Sequence, residues 1–140
     1  LKGLYQLGVR DFCNQEWQLA DEDSRIHSLT AEAIHRHKSR GRSLERQLDA
    51  FLKSMSQEVY LSLDIDVLEP HLCPNTGTPV PGGLSIWEVL FIVDFLHECG
   101  RKIVGFDLVE TAGKGYVDGF TSAKLLYLIA SRAHACSQMK

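Results

Sequence analysis

Asp64 and Asp66 are the two side chains whose type and spacing most clearly suggest chemistry in this sequence. They lie in an apolar run rich in β-branched residues, 59–67, which Pro70 stops, and such a run predicts a buried strand. Because side chains alternate along a strand, we expect both carboxylates to project from one face. Carboxylates at the end of a buried strand repel each other and lose hydration, and a divalent cation would offset both costs. The alternative is a strand that ends in solvent, with both aspartates hydrated.

A third carboxylate, Glu110, ends another predicted strand, and the alternation of strands with helices places it near the aspartates. The predicted strands cover 4–10, 59–67 and 102–110. The predicted helices cover 29–38, 43–55, 85–99 and 121–135. Segment 14–24 is predicted to be a loop or a loose helical turn, and segment 71–84 to be a long loop. Strands separated by helices imply right-handed crossovers and a parallel sheet, an α/β fold. Ligands collect beyond the carboxyl ends of such strands, so we expect Asp64, Asp66 and Glu110 at one rim. Taken alone, Glu110 could instead pair with Lys114.

The helix predicted after Ser85 is the most clearly marked element of the chain. Ser85 and Glu88 have the spacing of a capping box, and Gly100 suits the residue just past the helix end. Apolar residues recur at helical spacing between them. Val89, Ile92, Val93 and Leu96 share one side of this helix, and we expect Trp87 and Phe91 to lie in the core as well.

The bulk properties describe an ordinary globular chain of about one domain's length. A formal net charge of -3 and a pI near 6.1 give no general attraction to nucleic acid or to an anionic membrane. No apolar run is long enough to span a bilayer. The four cysteines form no C-x-x-C pair, and no signal peptide is evident, which favours reduced thiols in the cytoplasm. The chain opens on Leu1 without an initiator methionine, and we expect it to be a fragment.

The aspartate strand and the loop after it carry a specific resemblance. The run Ser62-Leu63-Asp64-Ile65-Asp66-Val67-Leu68-Glu69-Pro70, continued by Pro74-Asn75-Thr76-Gly77-Thr78-Pro79-Val80-Pro81-Gly82-Gly83, resembles a signature of the ureohydrolase family of arginases, agmatinases and formimidoylglutamases. Residues 7–11, 105–110 and 118–126 are also similar to segments of that family. The resemblance implies a three-layer α-β-α fold with a mostly parallel sheet.

The resemblance also implies roles for individual residues. Asp64 would bridge two manganese ions and Asp66 would bind one of them, and a water shared by the metals would attack the carbon of a guanidino or formimino group, releasing urea or formamide. Glu110 would accept a charge-assisted hydrogen bond from the cationic substrate nitrogen, and Thr78 with Gly77 would shape the pocket wall. No side chain of this chain is assigned a catalytic role. The resemblance implies a small-molecule substrate and a homo-oligomer of the intact protein, and leaves open whether that substrate is arginine, agmatine, formimidoylglutamate or another compound.

Three departures from the family pattern bear on these roles. Glu69 stands where the family usually has aspartate before proline, and Thr111-Ala112 stands where arginases generally have Asn-Pro. The family's earlier ligand motifs, Gly-Gly-Asp-His and Asp-Ala-His-x-Asp, do not occur. We therefore expect residues 1–140 to form a single α/β domain that is the carboxyl-terminal half of a ureohydrolase domain, with weak metal binding at best. His71, His35 and His37 are considered as substitute ligands, and none is favoured.

Two other functions remain open at this point. The chain could be an inactive fragment, or a structural or oligomerisation segment, and a parallel sheet cut before Leu4 would expose an unpaired edge and promote aggregation. A less favoured alternative is a phosphatase of the D-x-D type, which would require a later acidic pair that the sequence lacks after Glu110.

Overall fold

The computed structural model describes residues 2–112 and 116–138, with side-chain environments up to His134 in the last helix. The described elements are β1 (Leu4–Leu7), α1 (Asn14–Glu22), β2 (Ile26–Leu29), α2 (Ala31–Ser39), α3 (Leu44–Phe51), β3 (Glu58–Asp64), a 3-10 turn (Ile65–Val67), α4 (Ile86–Glu98), β4 (Lys102–Val109) and α5 (Tyr116–Gln138). The chain divides into two compact units, Leu1–Ser56 and Gln57–Lys140. The prediction of a single domain stays a prediction. Among the described helices, none is both long and apolar enough to cross a membrane.

The first unit is a pair of parallel strands with three helices. β1 and β2 pair in register from Leu4↔Ile26 to Leu7↔Leu29. Thr30 caps α2 by accepting the Ala33 N–H at 3.2 Å, and Ser43 caps α3 in the same way. The core of this unit consists of four buried apolar residues, Ala31, Ile34, Leu48 and Leu52.

Two elements of the first unit differ from the sequence prediction. Segment 14–24, predicted as a loop or loose turn, contains the helix α1, whose start is held by the Glu16 carboxylate accepting the Cys13 N–H at 2.7 Å. α1 has no buried residue, which explains its weak apolar periodicity. The strand β2 was not predicted, because its four residues show no alternation and acquire strand geometry by pairing with β1.

The second unit contains the strand that ends in Asp64. β3 and β4 are parallel and in register from Glu58↔Lys102 to Asp64↔Val109, with one irregularity at Val59/Tyr60. The helix α4 connects them, so this is a strand–helix–strand unit, as predicted from the sequence. α4 and α5 both contact β4, and their inner faces supply most of the core.

The helix α4 confirms the predicted capping box. The Ser85 hydroxyl accepts the Glu88 N–H at 3.2 Å while the Glu88 carboxylate accepts the Ser85 N–H at 2.9 Å. Gly100 follows the helix end with a φ of 73°, which suits glycine. The prediction that Trp87 packs in the core is wrong, because its side chain is 78% exposed, and Phe91 is exposed as well. Nine of the 13 residues of α4 are apolar, more than its buried side holds, so apolar character alone does not show that Trp87 and Phe91 are exposed.

Residues 69–83, which we call the rim loop, leave the sheet just after the aspartates and return to the same place. The loop is closed by a parallel bridge between Leu68 and Leu84, in which the Leu84 N–H donates to the Val67 carbonyl at 2.8 Å and the Glu69 N–H donates to the Leu84 carbonyl at 3.1 Å. Gly83 is required for this closure, because a Cβ there would lie 2.3 Å from the Leu68 carbonyl carbon. The rim loop therefore starts and ends at the carboxyl edge of β3.

Candidate metal and substrate site

Asp64 and Asp66 lie at the carboxyl end of β3, but not in the predicted geometry. The strand ends at Asp64, and Asp66 is the middle residue of the following 3-10 turn. The prediction that both project from one strand face is therefore wrong. Instead, the Asp64 carboxylate caps the turn by accepting the Asp66 N–H at 3.1 Å, which brings the two half-buried carboxyl groups together.

The environment of Asp64 disfavours its negative charge. Burial raises the pKa of the Asp64 carboxyl, the negative charges of Asp66 and Glu110 raise it further, and the bond from the Asp66 N–H opposes them. The charges of Asp66 and Glu110 thus act on Asp64 at this edge of the sheet. A cation bound beside Asp64 would favour its charged form.

Thr78 of the rim loop is connected directly to the second aspartate. Its hydroxyl donates to Asp66 Oδ2 at 2.8 Å, although 12 residues separate the two in sequence. Gly77 faces the other candidate residue, since a Cβ at this position would lie 3.0 Å from Glu110 Oε2. The rim loop therefore contacts both strand ends, with Thr78 on Asp66 and Gly77 beside Glu110.

Glu110 follows β4 directly and has an unusual backbone conformation. Its φ is 61°, and no other described non-glycine residue has a positive φ. A left-handed conformation costs a non-glycine residue about 1–2 kcal/mol. The Thr76 hydroxyl donates to the Glu110 carbonyl oxygen at 3.0 Å, which helps to hold this turn. The exposed carboxylate is thereby directed away from the regular path of the strand.

Side chains at the start of α5 hold the rim loop and the segment after β4, a role that was not predicted from the sequence. The Asp118 carboxylate accepts the Asn75 backbone N–H at 2.9 Å and the Asn75 side-chain N–H at 3.3 Å. The Thr111 hydroxyl donates to the Ser122 hydroxyl at 2.9 Å. These pairs are 43 and 11 residues apart, so only the fold brings them together.

One face of β3 and β4 carries a polar cluster beside the site. The Tyr60 hydroxyl donates to Asp107 Oδ2 at 3.0 Å, and the Ser62 hydroxyl donates to Asp107 Oδ1 at 2.7 Å. The hydrogen bond to Asp107 raises the pKa of the Tyr60 hydroxyl, because ionisation of tyrosine would break it. The cluster fixes Asp107 across the strand pair.

The donor atoms at the strand ends suit a hard divalent cation in part. Carboxylate oxygens are the ligands that Mg²⁺, Ca²⁺ and Mn²⁺ prefer. Within residues 2–112 and 116–134, however, no group of three or more His, Cys, Asp or Glu side chains is arranged to hold a metal ion. His71 is exposed in the rim loop, His35 and His37 belong to the other unit, and Lys114 lies outside the described residues. The described residues therefore do not by themselves form a group that could hold a metal ion.

Comparison with known proteins decides the family. A family model described as "Arginase family" matches residues 1–133. The chain belongs to the arginase family. It is 34% identical over 125 residues to the N(1)-aminopropylagmatine ureohydrolase of Thermus thermophilus, covering 89% of this chain and 40% of that protein. It is 42% identical over 86 residues to the agmatinase of Pyrococcus horikoshii, covering 58% of this chain and 30% of that protein.

Solved structures support the same assignment. The arginase of Bacillus subtilis superposes with a TM-score of 0.70 at 26% identity, covering 89% of this chain and 43% of that one. These findings confirm the predicted family and the predicted α/β arginase-like fold. The chain spans 40% or less of the two curated relatives described above.

Proposed function

We propose that this chain carries part of the metal site and the substrate-binding loops of a ureohydrolase that cleaves a carbon–nitrogen bond of a linear amidine. The observation that carries the proposal is the convergence of Asp64, Asp66, Thr78 and Glu110 at the carboxyl ends of β3 and β4. The 2.8 Å bond from Thr78 to Asp66 and the 3.0 Å bond from Thr76 to Glu110 tie the rim loop to both strand ends.

In this proposal the two aspartates hold divalent metal. Asp64 and Asp66 would supply carboxylate oxygens to a manganese pair, with Thr78 orienting Asp66 through its hydroxyl. When bound, such a pair lowers the pKa of a water molecule and polarises the group that is attacked. The remaining ligands would come from residues outside this set.

Glu110 would recognise the substrate. A guanidinium or formiminium group is planar and cationic, and an exposed carboxylate accepts strong charge-assisted hydrogen bonds from its N–H donors. The absence of a side chain at Gly77 leaves room next to Glu110 Oε2. The names of the relatives, agmatinase, aminopropylagmatine ureohydrolase and arginase, favour a guanidino substrate and release of urea. The formimino alternative, releasing formamide, belongs to the same proposal.

The cellular location and the partners of the protein are part of the same proposal. The cysteine pattern suggests a cytoplasmic protein, and the family suggests a homo-oligomer acting on a small molecule. The net charge of -3 gives no reason to expect nucleic acid or a membrane as a partner.

A second candidate is a segment that has no activity of its own. Two aspartates cannot fill two metal coordination shells, because each ion takes about six ligands. The lack of a three-residue metal group among the described side chains favours this candidate for the chain in isolation.

Calorimetric titration of Mn²⁺ into this chain separates the two candidates. Wild type is compared with Asp64→Asn, which keeps an oxygen to accept the Asp66 N–H but loses the charge. The matched control is Asp94→Asn, the same chemical change at a residue of α4 that forms an ion pair with Arg132 of α5. Urea release from arginine and agmatine is measured on the same samples with Mn²⁺ present.

The outcomes divide clearly. Binding that Asp64→Asn weakens and Asp94→Asn does not, together with urea release, supports a working ureohydrolase in this chain. Weak binding that still depends on Asp64, without urea release, supports the segment with part of a site. Binding that is equal in wild type and Asp64→Asn contradicts the assignment of Asp64 as a ligand.

A further inference from the structure

The first two turns of α5 present polar side chains to the interior. Asp118 is fully buried and Ser122 is 6% exposed, and these residues are one helical turn apart on the face that continues with the buried Leu125 and Ile129. A polar start to an otherwise apolar buried face is costly unless every group has a partner. Both residues have one, and both partners belong to segments of the candidate site.

Asp118 is matched to Asn75 by its donor and acceptor pattern. Asn75 presents two N–H donors, one from the backbone and one from the side chain, and each reaches a different carboxylate oxygen of Asp118. A carboxylate has two acceptors, so it can bind both. Asp118 also lies in the first turn of α5, where the helix dipole favours negative charge.

Asn75 immediately precedes the part of the rim loop that contacts the strand ends. Thr76, one residue on, donates to the Glu110 carbonyl at 3.0 Å, and Thr78 donates to Asp66 at 2.8 Å. On the far side of Glu110, Thr111 is held by Ser122. The start of α5 therefore holds both segments that carry the proposed substrate-binding residues, Thr78 and Glu110.

We propose that Asp118 is a positioning residue that sets the affinity for the amidine substrate by fixing Asn75, and through it Thr76, Thr78 and the turn at Glu110. Asp118 has no direct contact with the four candidate site residues in the described hydrogen bonds. The inference rests on the proposed function for its link to substrate, while the restraint on the loop can be measured without turnover.

Amide hydrogen exchange on the full chain tests the restraint. In Asp118→Asn we expect exchange in the segment 75–78 to be about tenfold faster than in wild type, because one of the two bonds to Asn75 is lost. Asp94→Asn, an equivalent change on α4, is the control and should leave this segment unchanged. Unchanged exchange at 75–78 in Asp118→Asn overturns the inference.

The reciprocal exchange Asn75→Asp with Asp118→Asn distinguishes positioning from general destabilisation. The double variant places the amide at position 118 and the carboxylate at position 75. The amide oxygen at 118 still accepts the backbone N–H of residue 75, and the side-chain bond is restored with its donor reversed. We expect wild-type exchange at 75–78 to return. If Asp118→Asn does not fold, Asn75→Ala at an exposed position removes the side-chain bond alone, and unchanged exchange there overturns the inference.

Steady-state urea release provides the link to substrate. Asp118→Asn should raise KM for the guanidino substrate about tenfold with kcat within about twofold, and the double variant should restore KM. A loss confined to kcat overturns the inference. If the wild type releases no urea from any guanidino compound, the proposed function fails. The hydrogen-exchange comparison then decides by itself whether Asp118 restrains the rim loop.

Discussion

Glu110 combines two properties that oppose each other at the scale of the single residue. Its carboxylate is proposed to bind a cationic substrate, while its backbone occupies a left-handed conformation with a φ of 61°. Conformations of this kind persist where surrounding contacts fix them, and here Thr76 and Thr111 provide those contacts on either side. The site thus gives up some stability to direct one side chain.

Glu110→Gly separates the two properties. We expect the free energy of unfolding to rise by about 0.5–1 kcal/mol, because glycine adopts a positive φ without steric cost, while binding of the guanidino substrate is lost. Urea denaturation measures the first effect and substrate titration the second. Glu110→Gln, which loses the charge but keeps the strain, should lose binding without gaining stability, and an equal gain in both variants would contradict this account.

The bond from Tyr60 to Asp107 makes a pH-dependent prediction. The pKa of Tyr60 is raised above 10.0, so this bond contributes fully to stability below pH 10.0 and its contribution is lost as the pH rises through the raised pKa. Tyr60→Phe should therefore be less stable than wild type at neutral pH, with a deficit that shrinks above pH 10.0. Thermal unfolding across this range measures it.

The tyrosinate absorbance of the same samples provides the control. Tyr60→Phe should lack the late ionisation, whereas Ser62→Ala, which leaves the bond between Tyr60 and Asp107 in place, should retain it. A late ionisation that survives in Tyr60→Phe would refute the assignment.

The sequence predicted which residues come together at the candidate site better than it predicted the directions of their side chains. The D-x-D spacing and the motif around Thr78 selected residues that the fold brings together. The strand alternation used to orient Asp66 failed, because Asp64 turns its side chain to cap the next turn and so ends the strand. Asp118 and Asn75 both lie in segments that resemble the family, but their pairing was not predicted, since it arises from contact between distant segments.

Among the elements, the rim loop depends most on a single close approach. Gly83 packs against the Leu68 carbonyl, where a Cβ would approach to 2.3 Å. Since backbone cannot move aside cheaply, the bridge that closes the loop requires glycine at this position. The loop's geometry is thus set at its ends as well as by Asp118.

Gly83→Ala should destabilise the protein by about 3 kcal/mol, because the new methyl group forces the Leu68–Leu84 bridge apart. Denaturant unfolding measures this change. Gly119→Ala is the matched control, since nothing lies within 4 Å of its Cβ position, and it should stabilise α5 by about 0.5–1 kcal/mol. Equal effects of the two substitutions would contradict the close approach.

The elements themselves were predictable where local signals were strong. The capping box of α4 and the long apolar strands β3 and β4 were found from sequence because each contains its own start, stop or periodicity. The strand β2 and the helix α1 were not, because a four-residue strand is defined by its partner and an exposed helix has little apolar pattern. The start of α5 at Tyr116 precedes the predicted start at residue 121.

For the whole molecule, the main feature is exposed aromatic surface on the second unit. On α5, Tyr116 is 87% exposed and Phe120 is 65% exposed, and Trp87 of α4 is exposed as well. Clusters of large apolar side chains on a surface promote association. The sequence led to the same expectation by another route, through the unpaired edge of a parallel sheet.

We therefore expect the isolated chain to self-associate, with Phe120→Lys reducing association without lowering the free energy of unfolding. Sedimentation velocity over a concentration series measures association. Ser131→Lys adds the same charge at an exposed position on α5 and serves as the control. A monodisperse wild-type monomer with a cooperative thermal transition would disprove this expectation.

The closure of the rim loop also bears on how the protein could be re-engineered. Because the bridge at Leu68 and Leu84 fixes the two ends, lengthening the segment between them costs little, about 0.6 kcal/mol for each doubling of its length. Residues added at the exposed positions Pro79 or Pro81 would extend the wall beyond Thr78 and leave the anchor at Asn75 and Asp118 in place. Changing the length of the rim loop would therefore change the length of the substrate that the site accepts, without altering the sheet.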